Sequence, residues 1–192
     1  MNNIWTIALK EIRDGLRNRW ILTITLIMAG LALLLTTLGS APTGTTSIGP
    51  LAITVVSLSS LSIFFIPLIA LLLAYDSIVG EAERGTLLLL LAYPVARWQV
   101  IIGKFCGHSI LLAFAILVGY GVAGGVIAAT AEANIEPDTW SSFFRLLISS
   151  VMLGAIFLAL GYLISAAVHE RGTAAAVAIG VWLLFVLLYD MG

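Results

Sequence analysis

Long apolar stretches, separated by short polar ones, dominate the pattern of this sequence. No charged side chain lies between Trp20 and Tyr75, and this run is long enough for two membrane-spanning helices of about 20 residues each. The segment Gly39–Pro50, which is rich in glycine, proline, serine and threonine, predicts a turn between them. A second uncharged run covers residues 105–131, and the polar segment Glu132–Trp140 follows it.

The C-terminal apolar sequence is divided once more. A short turn at His169–Gly172 separates two further apolar stretches. The sequence therefore predicts five membrane spans, at residues 21–38, 52–74, 105–131, 146–168 and 173–188. We expect the whole chain, 1–192, to form one transmembrane domain, with Pro67 bending the second span.

The first 20 residues have a different, amphipathic pattern. On a helical wheel, the apolar side chains from Trp5 to Trp20 share one stripe, and charged side chains such as Lys10 and Arg13 lie opposite. This pattern predicts an interfacial helix that lies along the membrane before the first span. Packing of the apolar stripe against another domain is the alternative. The charged part is too long and too mixed in sign for a cleavable signal peptide.

Basic residues are distributed unevenly between the two sides of the predicted bundle. Eight of the nine Lys and Arg residues lie before the first span, between the second and third, or between the fourth and fifth; only Arg145 lies on the other side. The positive-inside rule therefore predicts a cytoplasmic N-terminus and a cytoplasmic 75–104 loop. Because five spans would leave the C-terminus outside, we expect a sixth span beyond Gly192.

The composition agrees with this pattern and excludes several classes of protein. Of the 192 residues, 61% are hydrophobic and 10% are charged, whereas soluble domains carry about 25% charged residues. A soluble enzyme is therefore excluded. The formal net charge of −1 argues against a nucleic-acid-binding surface, and the single cysteine, Cys106, excludes an internal disulfide framework. We predict an all-α polytopic membrane bundle.

The loop at 75–104 contains a short apolar run between charged flanks. This run, Leu87–Leu91, is too short to cross a bilayer; Gly85 breaks the chain before it and Pro94 stops it. Thr86 stands where an N-cap would satisfy the first backbone amides of a helix. The loop therefore predicts a short helix from Thr86 to the residue before Pro94, lying at the cytoplasmic membrane surface.

A spaced pattern of glycines, charges and a proline surrounds this helix. It reads Gly80-Glu81-x-Glu83-x-Gly85-Thr86-Leu87, then Tyr93-Pro94-x-x-Arg97, then Gly103-Lys104. The pattern resembles the coupling-helix region of type-2 ABC exporter permeases, the ABC-2 type. The N-terminal Lys10-Glu11 is similar to the first helix of the same family, and the span layout resembles that family over nearly the whole chain.

The resemblance implies a permease subunit that works as a homodimer, with each copy bound by a cytoplasmic ABC ATPase subunit. The chain lacks the G-x-x-x-x-G-K-[ST] phosphate loop, so we expect it not to be an enzyme and to bind no cofactor itself; ATP and magnesium would bind to the partner. No catalytic residue is implied. The residues that the resemblance assigns to ATPase coupling are Glu81, Glu83, Arg84, Gly85, Thr86, Pro94, Arg97 and Lys104.

Two shorter sequence motifs resemble one group of permeases within the family. Gly103-Lys104-Phe105-x-Gly107-His108 and Tyr75-Asp76-x-Ile78-Val79-Gly80-Glu81 resemble permeases that serve the maturation of the copper sites of nitrous oxide reductase. This implies a periplasmic β-helical protein and a copper chaperone as further partners, in the bacterial inner membrane. Two alternatives stay open: an ABC-2 exporter of a lipid, drug or polysaccharide, and a non-transporting membrane anchor or assembly factor without an ATPase.

Candidate metal ligands are scattered along the sequence. Cys106 and His108 are two residues apart on a predicted helix, so their side chains face different directions, and the four methionines lie far apart. We expect the loop acids Asp76, Glu81 and Glu83 to be solvated or paired with the partner ATPase. We therefore predict no metal site within one chain. His108, a polar residue near the cytoplasmic end of the third span, is expected to make a structural hydrogen bond.

Overall fold

The structure is a computed structural model that describes residues 2–17, 19–38, 50–86, 95–130 and 137–191. Within these ranges the regular elements are all α-helices, and no strand occurs, which confirms the all-helical fold class. The helices in chain order are α1 (Asn2–Arg17), α2 (Arg19–Leu38), α3 (Pro50–Ala74), α4 (Val79–Glu83), α5 (Arg97–Thr130), α6 (Pro137–Ala167) and α7 (Arg171–Asp190).

Several of these helices have the length and composition of membrane spans. Four apolar segments qualify by themselves: Val55–Glu83, Arg97–Val126, Trp140–Ala167 and Arg171–Asp190. Helices α1 and α2 meet at an angle of 67° and make a fifth span if the bent pair is counted as one. Each predicted span overlaps one of the helices α2, α3, α5, α6 and α7. The number of membrane crossings stays a prediction, and most of the predicted coupling helix, residues 87–93, lies outside the described residues.

Helix α5 is the long helix along which the N-terminal helices lie. It begins at Arg97, eight residues before the predicted span, so Gly103, Lys104 and Gly107 all lie on its first turns. A Cβ added at Gly103 would lie 2.8 Å from the Ile7 Cβ, and one added at Gly107 would lie 2.7 Å from the Cβ of Glu11. These two glycines, four residues apart, let the backbones of α1 and α5 approach closely.

The same contacts fix the direction of α1. A step of four residues along α5, from Gly103 to Gly107, corresponds to a step of four residues along α1, from Ile7 to Glu11. The two helices therefore run parallel, and the N-terminus of α1 lies at the same end of the bundle as the start of α5. Farther along, Gly119 of α5 packs against Met28 of α2.

Helix α3 packs on α6 and α7 and contains Pro67. Proline cannot donate a backbone hydrogen bond, so the carbonyl of Ile63, four residues before Pro67, lacks its helical donor, and the ring of the proline disturbs the preceding turn. The indole nitrogen of Trp182, on α7, donates to the carbonyl of Phe64 at 2.9 Å. A side chain from a neighbouring helix thus satisfies backbone near the proline, as is required where water is absent.

A turn separates α3 from the short helix α4, and α6 caps the beginning of α4. The Ser165 hydroxyl of α6 accepts hydrogen bonds from the amides of Ile78 (3.0 Å) and Val79 (3.1 Å). These are N-terminal amides that lack partners within α4. At the other end, Gly85 has a φ of +70°, the left-handed conformation in which glycine commonly ends helices. The break expected at Gly85 is therefore present.

Three neutral polar side chains lie inside the bundle and are hydrogen-bonded to one another. Ser62 of α3 and Tyr120 of α5 are hydrogen-bonded at 2.7 Å, and Ser150 of α6 donates to Ser62 at 3.3 Å. All three side chains are buried among apolar residues of α2, α3, α5 and α6. These neutral contacts join three helices in the apolar interior.

Candidate functional site

Charged side chains gather at the end of the bundle where α4 lies. They surround a cavity of about 550 Å³ between α1, the α3–α4 turn, α5 and α7. Most of these groups belong to segments that are far apart in the sequence, so helix packing is what brings them together. The charged residues that line the cavity include Glu11, Asp76, Glu81, Arg84, Lys104 and Arg171.

Lys104 is the central group of this site. Its side chain is only 3% exposed, and its Nζ donates to Glu11 Oε1 at 2.9 Å and to Glu81 Oε1 at 2.7 Å. A buried ammonium group is tolerated only when it is paired and hydrogen-bonded, and the two carboxylates meet that need. Close approach at Gly103 and Gly107 is the reason that α1 can place Glu11 beside Lys104.

A second lysine lies beside the same two carboxylates. The half-exposed Lys10 lies 3.1 Å from Glu11 Oε1 and 3.7 Å from Glu81 Oε1, and it also lies 3.5 Å from Asp14 Oδ2. Burial would by itself raise the pKa of the Glu11 carboxyl, but the charge and hydrogen bond of Lys104, together with Lys10, hold this pKa below its usual value. Glu11 is therefore ionised at neutral pH.

His108 lies one turn beyond Lys104 on α5 and extends the site toward α6. Its Nδ1 is 2.6 Å from the Tyr162 hydroxyl, and its Nε2 is 3.6 Å from Glu11 Oε2. Ser77, in the α3–α4 turn, donates to the same Tyr162 hydroxyl at 3.1 Å. The structural hydrogen bond expected for His108 is present, and its partner is a tyrosine from another helix.

A second ion-pair group ties α4 to α7. Asp76 accepts from Arg84 Nη2 at 2.9 Å and lies 2.8 Å from Arg171 Nε. The carboxylate of Glu83 accepts from the backbone amide of Arg171 at 2.7 Å. Because Arg171 is the first residue of α7, Glu83 places a negative charge at the positive end of that helix dipole.

The structure thus gives the loop acids partners within the chain. Asp76, Glu81 and Glu83 were expected to be solvated or paired with the ATPase, and each contacts a basic residue or amide of α5, α7 or its own segment. Glu81 still has one buried oxygen, Oε2, without a hydrogen-bond partner. Among the described residues, no group of three or more His, Cys, Asp or Glu side chains is placed to hold a metal ion.

The remaining predicted coupling residues lie at the edge of this site. Thr86 is exposed, and its hydroxyl donates to the Glu81 carbonyl at 3.2 Å. Arg97 is exposed at the first position of α5, and Pro94 lies outside the described residues. The role of all these residues in coupling stays a prediction.

Sequence reasoning missed four members of the site. Tyr162, Ser165 and Arg171 were not considered as partners of the loop, and Glu11 was noted only as part of a family dipeptide. One sequence signal points to Glu11: the glycine pair that flanks Lys104 marks the face of α5 on which another helix packs. Nothing in the spacing of Tyr162 or Ser165 distinguishes them from other polar residues of an apolar helix.

Comparisons with known proteins give a consistent result. The sequence profile described as "ABC-2 family transporter protein" matches residues 5–192. The chain is 50% identical over 191 residues to a protein of Stutzerimonas stutzeri named "Probable ABC transporter permease protein NosY", and this match covers 100% of the chain and 69% of that protein. A Pseudomonas aeruginosa protein of the same name is 48% identical over 188 residues, which cover 98% of the chain and 68% of that protein.

Proposed function

The chain belongs to the ABC-2 family of transporter proteins, and we propose that it is the permease subunit that converts ATP hydrolysis by a partner ATPase into movement of the membrane helices. An ABC transporter permease works with an ATPase subunit, and several apolar helices make this chain a multi-pass membrane protein. We further propose which segment couples to the ATPase, how the chain is oriented in the membrane and which process it serves.

The observation that carries this proposal is the set of contacts around α4. This five-residue helix and its turn contact α5 through Glu81, α6 through Ser165 and α7 through Glu83. Its Glu81 also lies 3.7 Å from Lys10 of α1. A displacement of this one segment is therefore passed directly to four other helices. Such a segment suits a coupling element, with the residues from Thr86 to Pro94 as the part that contacts the ATPase.

The orientation follows from the same region. With the positive-inside rule, the basic residues near the start of α5 and on α1 place this end of the bundle in the cytoplasm. The parallel arrangement of α1 and α5 supports it, because it puts the N-terminus and Arg97 on one side. We assign the chain to the bacterial inner membrane, with α1 as an interfacial helix, and to a homodimer.

The process that we propose is the maturation of the copper sites of nitrous oxide reductase. Its support is the identity of about half of all residues to two proteins named NosY. Movement of the permease would then act on a periplasmic β-helical protein and a copper chaperone. A strain that lacks this permease should assemble nitrous oxide reductase without its full copper content, and the intact permease should restore it. Full copper content in the deletion strain would contradict this assignment.

Coupling is tested with the purified complex of permease and ATPase. Glu81→Gln keeps the shape of the side chain but removes the charge that faces Lys104, so we expect permease-stimulated ATP hydrolysis to fall about tenfold or more, the loss of roughly 1.4 kcal/mol of coupling energy. Ala82→Gln, at an exposed position on the same short helix, is the matched control and should leave the rate unchanged.

Two results would contradict the coupling proposal. One is a Glu81→Gln complex that assembles and hydrolyses ATP at the rate of the unchanged complex. The other is a permease that binds no ATPase, which would favour a membrane anchor or assembly factor.

A further inference from the structure

Six side chains of the candidate site, together with a short stretch of backbone, form a circuit of contacts, which we call the polar ring: Glu11, Ser77, Glu81, Lys104, His108 and Tyr162. In order, Ser77 contacts Tyr162, Tyr162 contacts His108, and His108 faces Glu11. Glu11 then accepts from Lys104, and Lys104 donates to Glu81. The circuit closes through the short backbone from Ser77 to Glu81. It joins α1, α5, α6 and the segment that contains α4.

The donors and acceptors of the ring are consistent with one another. The Tyr162 hydroxyl oxygen accepts a hydrogen bond from the Ser77 hydroxyl. The Tyr162 hydroxyl therefore donates its own hydrogen bond to Nδ1 of His108. A neutral imidazole whose Nδ1 accepts carries its proton on Nε2, and this nitrogen faces Glu11 Oε2 at 3.6 Å. Each oxygen of the Glu11 carboxylate thus faces a different donor on α5. Lys104 holds one oxygen of Glu11 by a hydrogen bond, and His108 faces the other oxygen at a distance too long for one.

Most members of this circuit are buried, although five of the six side chains line the cavity. Lys104 is 3% exposed, and Glu11, Ser77 and His108 are also buried. In such surroundings hydrogen bonds strengthen one another, and the loss of one member leaves its neighbours without partners. The loss of one member therefore weakens the hold on its neighbours.

We propose that the polar ring joins α1 and α4 into one mechanical unit, so that α1 moves with α4 during the transport cycle, and that Tyr162 and His108 are positioning residues that hold Glu11 in place. This inference rests on the proposed function, because it specifies how movement of α4 reaches the N-terminal half of the chain. Helix α1 leads into α2 across the 67° bend, so α2 receives the movement without contacting α4 through the ring.

The direct test measures distances between spin labels in the complex of permease and ATPase. Cys106→Ala removes the natural thiol, and labels are attached to Arg13→Cys on α1 and Ala82→Cys on α4, both at exposed positions. A second pair, Ala82→Cys with the exposed Val56→Cys on α3, a helix that contributes no residue to the ring, serves as the reference. Excess unlabelled permease restricts the measurement to distances within one chain.

The expected result compares the nucleotide-free complex with the complex bound to magnesium and a non-hydrolysable ATP analogue. The Arg13–Ala82 distance should shift by less than about 2 Å, while the Ala82–Val56 distance shifts by more than that. The proposal is overturned if the Arg13–Ala82 distance changes with nucleotide in the labelled protein whose six ring residues are intact. An unchanged reference distance in a complex that hydrolyses ATP also overturns it, because α4 then does not move relative to α3.

Two tyrosines offer a matched pair for the positioning role. Tyr162→Phe removes one hydroxyl from the ring, whereas Tyr120→Phe removes an equally buried hydroxyl that contacts Ser62 outside the ring. We expect Tyr162→Phe to make the Arg13–Ala82 distance depend on nucleotide and to reduce permease-stimulated hydrolysis roughly fivefold, as for the loss of one buried hydrogen bond. Tyr120→Phe should change neither quantity.

Folding defects are separated from positioning by a second variant. Ser77→Ala removes the first donor of the circuit by changing a smaller side chain. It should make the Arg13–Ala82 distance depend on nucleotide, as Tyr162→Phe does. If both variants assemble and keep a nucleotide-independent distance, Tyr162 and His108 do not position Glu11. A permease that binds no ATPase is a different result, since it contradicts the proposed function before any distance is compared.

Discussion

Two buried polar networks of this protein differ in composition and in position. Ser62, Tyr120 and Ser150 form a neutral network in the apolar interior, where every member lies on a long helix. The network around Lys104 contains charges, lies beside a cavity and includes a helix of five residues. The first network can hold long helices in register. The second joins long helices to a segment small enough to be displaced.

The difference in charge sets the energetic consequences. Removing a neutral hydroxyl leaves at most one or two partners unsatisfied, whereas removing one charge leaves the opposite charge buried and unpaired. The charged end should therefore be the more sensitive of the two regions. Three substitutions test this comparison, from the largest expected effect to the smallest.

Lys104→Met should be the most damaging of the three changes. Methionine has a similar shape, but the carboxylates of Glu11 and Glu81 would lose their buried ammonium partner, which destabilises proteins by about 3–5 kcal/mol. Thermal unfolding of the purified permease in detergent measures the loss. Lys10→Met is the matched control, because Lys10 is half-exposed and should contribute less than about 1 kcal/mol. Equal losses for both lysines would contradict the central role of Lys104.

Gly107→Ala tests the close approach that builds the charged site. The new Cβ would lie 2.7 Å from the Cβ of Glu11 and 2.9 Å from the backbone carbonyl of Ala8, so α1 must shift. Overpacking of this kind costs about 1–3 kcal/mol. Gly121→Ala, on the same helix but with nothing within 4 Å of the added atom, should have little effect on thermal unfolding. If Gly107→Ala left thermal unfolding unchanged, α1 would not be packed closely against α5.

Ser165→Ala compares single hydroxyls in the two regions. Its loss leaves the amides of Ile78 and Val79 uncapped, and removal of a helix cap costs about 1 kcal/mol. Ser150→Ala removes one 3.3 Å contact in the interior and should cost less. Hydrogen exchange of the α4 amides, measured by mass spectrometry, should increase for Ser165→Ala alone. Faster exchange in both variants would remove the distinction between the two networks.

The helices could be predicted from the sequence because each depends on a local pattern. The uncharged runs that predict spans at 52–74 and 146–168 coincide with parts of α3 and α6. Helix α5 begins at Arg97, eight residues before the predicted span, because a helix can continue through paired charges such as Lys104 that interrupt an uncharged run. Hydropathy locates the apolar part of a helix better than its ends.

The candidate site could be predicted only in part, and the reason is the separation of its members. Glu81 and Lys104 were selected within one loop, but Glu11 lies 93 residues before Lys104 and Tyr162 lies 54 residues after His108. Such pairs depend on which faces of the helices pack together, and periodicity within one helix does not specify its neighbours. Asp76, Glu81 and Glu83 were therefore expected to face water or an ATPase.

The sequence separation of Glu11 and Lys104 also affects the assembly of this protein during synthesis. The carboxylate of Glu11 is translated 93 residues before the ammonium group of Lys104. With α1 at the membrane surface, as we propose, its carboxylate would remain hydrated, and Lys104 would find an anionic partner already in place when α5 inserts. On this proposal, no unpaired charge of this pair has to enter the lipid. The order of the two residues along the chain thus allows an ion pair to be buried at a membrane boundary as the helices arrive.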